Sequence, residues 1–320
     1  MNVASALADV MAELLREDPR RVLLGEDVAT GGMLGLSRAC AEDPELASRL
    51  VTTPLVPATA LAHAGGLALA GLRPIVLLPA LFSAVEGLVG LREVAAMAWR
   101  TGGERTAPVL ILAPCGPGFG LGGDAGEGLE AVLARVPGLR VVCVGRPHDA
   151  EPMLRAAAAF DGSEDPLVML VPRTILVGEQ EGSSRAELTR SLHAAQRVRI
   201  GSAATVFAWG EAVELALEAV AETGVDATVV DVASLAPLDH ETLVEAARDT
   251  GKIVVVHAGP TSHGIGAELA GLFADDAIDW LDAPIVRVGG DDPPLGPGEE
   301  LRGLPTVERI ARALERVTNW

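Results

Sequence analysis

Short, almost wholly apolar runs alternate with alanine- and leucine-rich segments along most of the chain, and this rhythm restricts its fold more than any other feature. The runs at 21–25, 74–78, 108–112, 139–144 and 167–171 are strand-sized. A strand that is apolar at nearly every position is buried on both faces, as in a parallel sheet covered by helices. The intervening segments 58–70 and 86–100 are long enough for helices. Parallel neighbours need a crossover of about a dozen residues, and such segments supply one. The pattern predicts an α/β fold with mostly parallel sheets.

The rhythm breaks between 177 and 200, where GEQEGSSRAELTRS is polar and offers no apolar run. It then resumes with strands at 204–208, 227–232, 253–257 and 284–288 and helices at 211–222, 240–250, from Gly264 and at 306–317. We therefore expect two domains, 1–176 and 201–320, joined by a linker at 177–200. A length of 320 residues suits two cores better than one.

Several function classes are excluded at this level. No apolar run reaches the roughly eighteen residues of a membrane span, and the acidic, amphipathic start reads as a helix and not a signal peptide, so a soluble cytoplasmic protein is expected. The formal charge of −19, with Lys252 the only lysine, argues against nucleic acid. It suits a solubilising surface or a basic protein partner. Cys40, Cys115 and Cys143 have no metal-ligand spacing and read as reduced core thiols. The six histidines show no HxxxH or HExxH pairing. His148 and His240 stand at helix starts, and His257, closing a strand, is the most site-like, although a structural role fits it better. No GxSxG occurs. Gly118, Gly120 and Gly123 satisfy GxGxxG after a strand, but no acid ends the next strand at 139–144 to hold a ribose. A loop over a site is the better reading of that segment.

Several ungapped blocks together carry a resemblance. Leu24-Gly25-Glu26-Asp27-Val28 precedes Gly31-Gly32; Thr53-Pro54-Leu55 precedes Ala70-Gly71-Leu72-Arg73-Pro74. Pro137 to Val142, Ala208-Trp209-Gly210, Val254 to His257, the GIGAEL stretch from Gly264 and Asp282-Ala283-Pro284 follow. In these blocks the chain resembles the beta subunit of the first component of thiamine-diphosphate 2-oxoacid dehydrogenases of the pyruvate, branched-chain and acetoin types. The resemblance covers essentially the whole chain. It implies a transketolase-like pyrimidine-binding domain, a transketolase C-terminal domain and an α₂β₂ assembly that docks an acyltransferase core. In such assemblies the alpha subunit holds the diphosphate and Mg²⁺ through a GDG…N motif. Here Gly123-Asp124 runs into Ala125 and the only asparagines are Asn2 and Asn319. A monovalent cation near 158–161 is also implied by the resemblance.

The same matching shows what has changed. Pro57 falls on the family's glutamate that shares a proton with the aminopyrimidine, and Ala125 falls on its active-site histidine. Leu78 replaces a polar residue of branched-chain-type members. Glu26, Leu55 and Phe82 keep the cofactor-binding positions, with Phe82 on the aromatic that packs against the aminopyrimidine. The resemblance thus implies a beta-type subunit that is catalytically weakened or non-catalytic. Its alternative is an active subunit that uses other residues, with Asp124 and Glu127 in the glycine-rich segment as candidates.

Overall fold

The computed structural model describes residues 2–120, 128–159, 166–179, 192–292, 296 and 298–320. The chain forms two compact units, both α/β. One comprises Met1–Cys115, Val132–Val142 and Pro147–Leu192; the other comprises Gly116–Ala131, Cys143–Arg146 and His193–Trp320.

The first unit is built on β1 (Arg21–Gly25), β2 (Leu50–Thr52), β3 (Arg73–Leu77), β4 (Leu110–Cys115), β5 (Arg140–Cys143) and β6 (Leu167–Pro172). These strands lie in the order β5-β6-β4-β3-β1-β2. β1 pairs in parallel with β2 and β3, and β4 with β3 and β6. Strand β4 is buried at all six positions, as the uninterrupted apolar run predicts. Strand β2 was not legible: it is three residues long and half-exposed, so it presents no apolar run.

The start is helical over Val3–Glu17, with the Asn2 side chain accepting from Ser5 N–H at 2.9 Å as N-cap. Leu7, Met11 and Leu15 are fully buried on its inner face, each contributing about 1.5–3 kcal/mol. At its other end the buried Arg21 donates to the Leu14 carbonyl at 2.7 Å and to the Ala158 carbonyl at 3.0 Å. A guanidinium is well placed there, because the last carbonyls of a helix lack partners and carry partial negative charge.

The helix expected at 86–100 is broken into Leu81–Glu86, Leu88–Ala95 and Met97–Arg100. Gly87 marks the first break. A Cβ on it would overlap Leu61 Cδ1 and lie 3.3 Å from Pro57 Cβ. Close packing against helix Pro57–Leu69 therefore sets the break, which periodicity alone does not reveal.

The second unit carries β7 (Gln196–Arg199), β8 (Ala204–Ala208), β9 (Ala227–Asp231), β10 (Ser234–Ala236), β11 (Ile253–Val256) and β12 (Val286–Val288). Its five-stranded sheet has the order β12-β11-β8-β9-β7. Strands β8, β9, β11 and β12 pair in parallel, whereas β7 runs antiparallel to β9 through an irregular register. β7 lies inside the stretch expected to be linker. It is a half-exposed edge strand, so its sequence, QRVR, lacks the apolar signature of a central strand.

Alternation along β8 puts Ala204, Val206 and Ala208 into a core with helices Ala212–Thr223 and Val307–Thr318. Phe207, pointing the other way, packs on Phe273 of helix Ile265–Asp276 with ring centroids 4.5 Å apart. Asp239 caps helix His240–Thr250. No helix among the described residues is long and apolar enough to cross a membrane. All three cysteines are buried and none is in a disulfide, and burial pushes the Cys40 thiol up to about 11, which makes it inert.

Candidate functional site

In the first unit the chain leaves β1 for β2 on one side and returns to β3 on the other. Such a reversal opens a crevice at the carboxyl ends of the strands, the place where parallel sheets bind ligands. A cleft of about 170 Å³ lies there. Glu26 and Asp27 enter it from the end of β1, Leu78 and Pro79 from the end of β3, and Met33 and Leu36 from the loop between. The cleft is apolar apart from its two carboxylates, and none of its described lining residues is basic.

Local backbone geometry shapes this wall. Asp27 is left-handed at φ 53°, and its carbonyl accepts from the Thr30 and Gly32 N–H groups. Leu34 is also left-handed, at φ 54°, a conformation that costs a non-glycine residue about 1–3 kcal/mol and concentrates at functional sites. Ser37 ties the loop inward, its hydroxyl donating to the Val28 carbonyl at 2.9 Å.

The second unit has the same kind of reversal between β8 and β11. Trp209, directly after β8, stacks on His257, directly after β11, with centroids 4.8 Å apart and planes 8° from parallel. His257 Nδ1 donates to the Ala258 carbonyl at 2.7 Å. Its Nε2 is buried without a partner, facing Gly266, where a Cβ would come within 2.5 Å. Burial, and more weakly Arg287, holds this imidazole below its ordinary value. The Trp209 indole donates to Glu130 at 3.2 Å. Glu130 and Glu211 are both buried, and burial raises both carboxyls, Glu211 to about 7 with Glu130 adding to the effect.

Residues 1–177 match the transketolase pyrimidine binding domain and residues 193–310 the transketolase C-terminal domain. The chain is 34% identical to the pyruvate dehydrogenase E1 component subunit beta of Leifsonia xyli subsp. xyli, over 98% of this chain and 94% of that one. It is 32% identical to the 2-oxoisovalerate dehydrogenase subunit beta of Pseudomonas aeruginosa, over 99% and 95%. The chain belongs to the 2-oxoacid dehydrogenase E1 beta-subunit family. Two solved structures share its fold. A split-gene transketolase, described as an inactive beta4 tetramer, has a TM-score of 0.79 at 22% identity, covering 100% of this chain and 99% of that one. The transketolase of Leishmania mexicana has 0.70 at 18%, covering 99% of this chain and 45% of that one.

This beta-family chain brings only some of the anticipated residues together. Glu26 and Leu78 line the first crevice. Phe82 is half-buried on helix Leu81–Glu86, a few residues past Pro79, and is not among the cleft's lining residues. Leu55 is 60% exposed in the turn after β2, where the Thr53 N–H donates to the Gly25 carbonyl at 3.0 Å. Pro57 is buried as the first residue of helix Pro57–Leu69. Ala125, Asp124 and Glu127 lie outside the described residues. At 158–161, the Ala158 carbonyl already accepts from Arg21, and residues 160 and 161 are likewise outside the described set. Among the described residues, no group of three or more His, Cys, Asp or Glu side chains could hold a metal.

Sequence reading missed Glu130, Glu211 and Glu300. Each is an acid followed by a helical pattern, which ordinarily reads as a solvated helix start. Only burial distinguishes them.

Proposed function

We propose that the chain is the beta-type subunit of a 2-oxoacid dehydrogenase-like heteromer in which its own share of cofactor activation is weakened or absent. The family is thiamine-diphosphate-dependent, and activation of that cofactor needs a proton-sharing acid at the aminopyrimidine. The observation that carries the reading is Pro57. It sits at the position matched to that acid, and a proline ring offers neither a carboxyl group nor an N–H. The residue at this position does not fit cofactor activation. A positioned acid or base contributes about 10²–10⁴ in rate, roughly 3–5 kcal/mol, and Ala125 removes a second such group.

In this reading an alpha-type partner supplies the diphosphate and Mg²⁺ sites of an α₂β₂ assembly. The net charge of −19 suits a basic docking module of an acyltransferase core. The test is co-purification with the alpha-type partner, then calorimetry with thiamine diphosphate and Mg²⁺ and a turnover assay on a panel of 2-oxo acids. Turnover at rates ordinary for such enzymes overturns the proposal.

One observation favours the alternative, an active subunit working with other residues. Glu26 keeps a half-buried carboxylate in the cleft at the end of β1. If the heteromer turns over and Glu26→Gln abolishes it while cofactor binding persists, the second reading replaces the first.

A further inference from the structure

The crevice of the first unit is open, whereas that of the second is filled by the chain's own backbone. A Cβ on Gly116 would lie 2.5 Å from Glu211 Oε1. The N–H groups of Gly118 and Gly120 both donate to Glu300 Oε2, at 2.8 and 3.1 Å. On the other stem of the glycine-rich segment, a Cβ on Gly259 would lie 3.0 Å from the Gly128 nitrogen, and Glu130 receives the Trp209 indole. Carboxyl groups of Glu211 and Glu300 thus touch the stem 116–120, while Glu130 stands on the other stem, 128–130, and is held by Trp209. Glu130, Glu211 and Glu300 are 8%, 9% and 3% exposed.

The three are not equivalent. Glu300 accepts two backbone N–H bonds, an arrangement that stabilises a carboxylate. Glu211 Oε1 is buried with no hydrogen-bond partner, and the charged group acting on it is Glu130. The Glu211 backbone N–H favours the charged form, but burial outweighs it, so ionising the carboxyl costs free energy that hydration would recover. The cover over Oε1 is Gly116, a residue with no side chain to repack and a left-handed φ of 75°.

We infer that Glu211 and Glu300 on one stem, and the Trp209–Glu130 hydrogen bond on the other, clamp the stems of the glycine-rich segment into the crevice of the second unit, and that loss of the Glu211 proton opens the clamp at Gly116. Burial raises the Glu130 carboxyl as well, so Glu130 and Glu211 titrate as a coupled pair. Glu130 hydrogen-bonds to Trp209, Glu300 faces the Gly118 and Gly120 amides, and His257, beneath Trp209, has Arg287 as its charged neighbour. His257 is held below its ordinary value and is neutral where Glu211, raised to about 7, ionises. The clamp belongs to the chain itself and does not depend on cofactor binding.

Amide hydrogen exchange on the full chain tests it, following a peptide over residues 114–120 across pH and correcting for intrinsic exchange. One linked proton lets protection of this peptide fall by about tenfold per pH unit above the Glu211 midpoint. Glu211→Gln should show pH-independent protection, and Glu300→Gln should exchange faster at Gly118 and Gly120 at every pH. A wild-type profile that stays flat, or a pH dependence that survives in Glu211→Gln, overturns the proposal. The Trp209 indole N–H resonance, identified by loss of its peak in Trp209→Phe, needs no folded Glu211 variant. It should move with the same midpoint in the wild-type chain, and a fixed resonance also overturns the clamp.

Discussion

At Pro57 the chain carries a residue suited to opening a helix and unsuited to handling a proton. The first helical position has no intrahelical acceptor for its N–H, so proline loses nothing there. A glutamate is also favourable at that position, against the positive end of the helix dipole. Because Pro57 is buried, that gain is offset by desolvation of the carboxyl, and Pro57→Glu should lower the stability of the chain by about 1–3 kcal/mol, checked by urea denaturation. With Ala125→His it should raise 2-oxo acid turnover of the heteromer by about 10²-fold or more. Glu211 makes a prediction of opposite character. Its carboxyl is raised from 4.5 to about 7, so the stability it contributes is complete below 4.5 and lost as pH rises through 7. A shift of that size corresponds to about 3 kcal/mol. Glu211→Gln should accordingly be more stable than wild type by up to about 3 kcal/mol near pH 8, with the difference vanishing towards pH 5, as read from denaturation midpoints across pH. The proposed replacement at Pro57 rests on matching the family blocks along the sequence. The burial of Glu211 was not legible there, because nothing local marks an acid that other parts of the chain will cover.

Among the elements, glycines show how much packing adds to pattern. Gly138 lies in the Pro137-Gly138-Leu139 block that carries part of the resemblance. Its structural reason is a left-handed φ of 80° together with an approach to the Ala95 carbonyl that a Cβ would invade. Gly138→Ala should cost about 2 kcal/mol or more, lowering the thermal midpoint by several degrees. Gly66 is the contrast: it is exposed inside helix Pro57–Leu69 and a Cβ would meet nothing within 4 Å. Gly66→Ala should stabilise the isolated chain by about 0.5–1 kcal/mol. The long apolar strands were legible because burial on both faces leaves a run of several residues. The edge strands β2 and β7 and the breaks near Gly87 were not, since half-exposed strands lose the run and the breaks answer to helix Pro57–Leu69.

Across the whole molecule, both units repeat one architectural idea, a parallel sheet with a crevice where strand order reverses. In one unit the crevice is an apolar cleft with two carboxylates, and in the other it holds glycine stems on buried acids. The proposed heteromer adds a prediction at this scale. The chain alone should show no thiamine-diphosphate binding by calorimetry, whereas its complex with an alpha-type partner should bind, because the diphosphate and metal sites are the partner's. The sequence by itself determined the α/β class and the family. Those readings rest on periodicity and aligned blocks, which are properties of neighbouring residues. Only the tertiary structure decided that Glu26 and Leu78 share a cleft while Leu55 is exposed, and that Glu130, Glu211 and Glu300 meet around the glycine stems. Desolvation and close approach arise between groups far apart in the chain, Gly118 and Glu300 being 182 residues apart, and no local pattern encodes them.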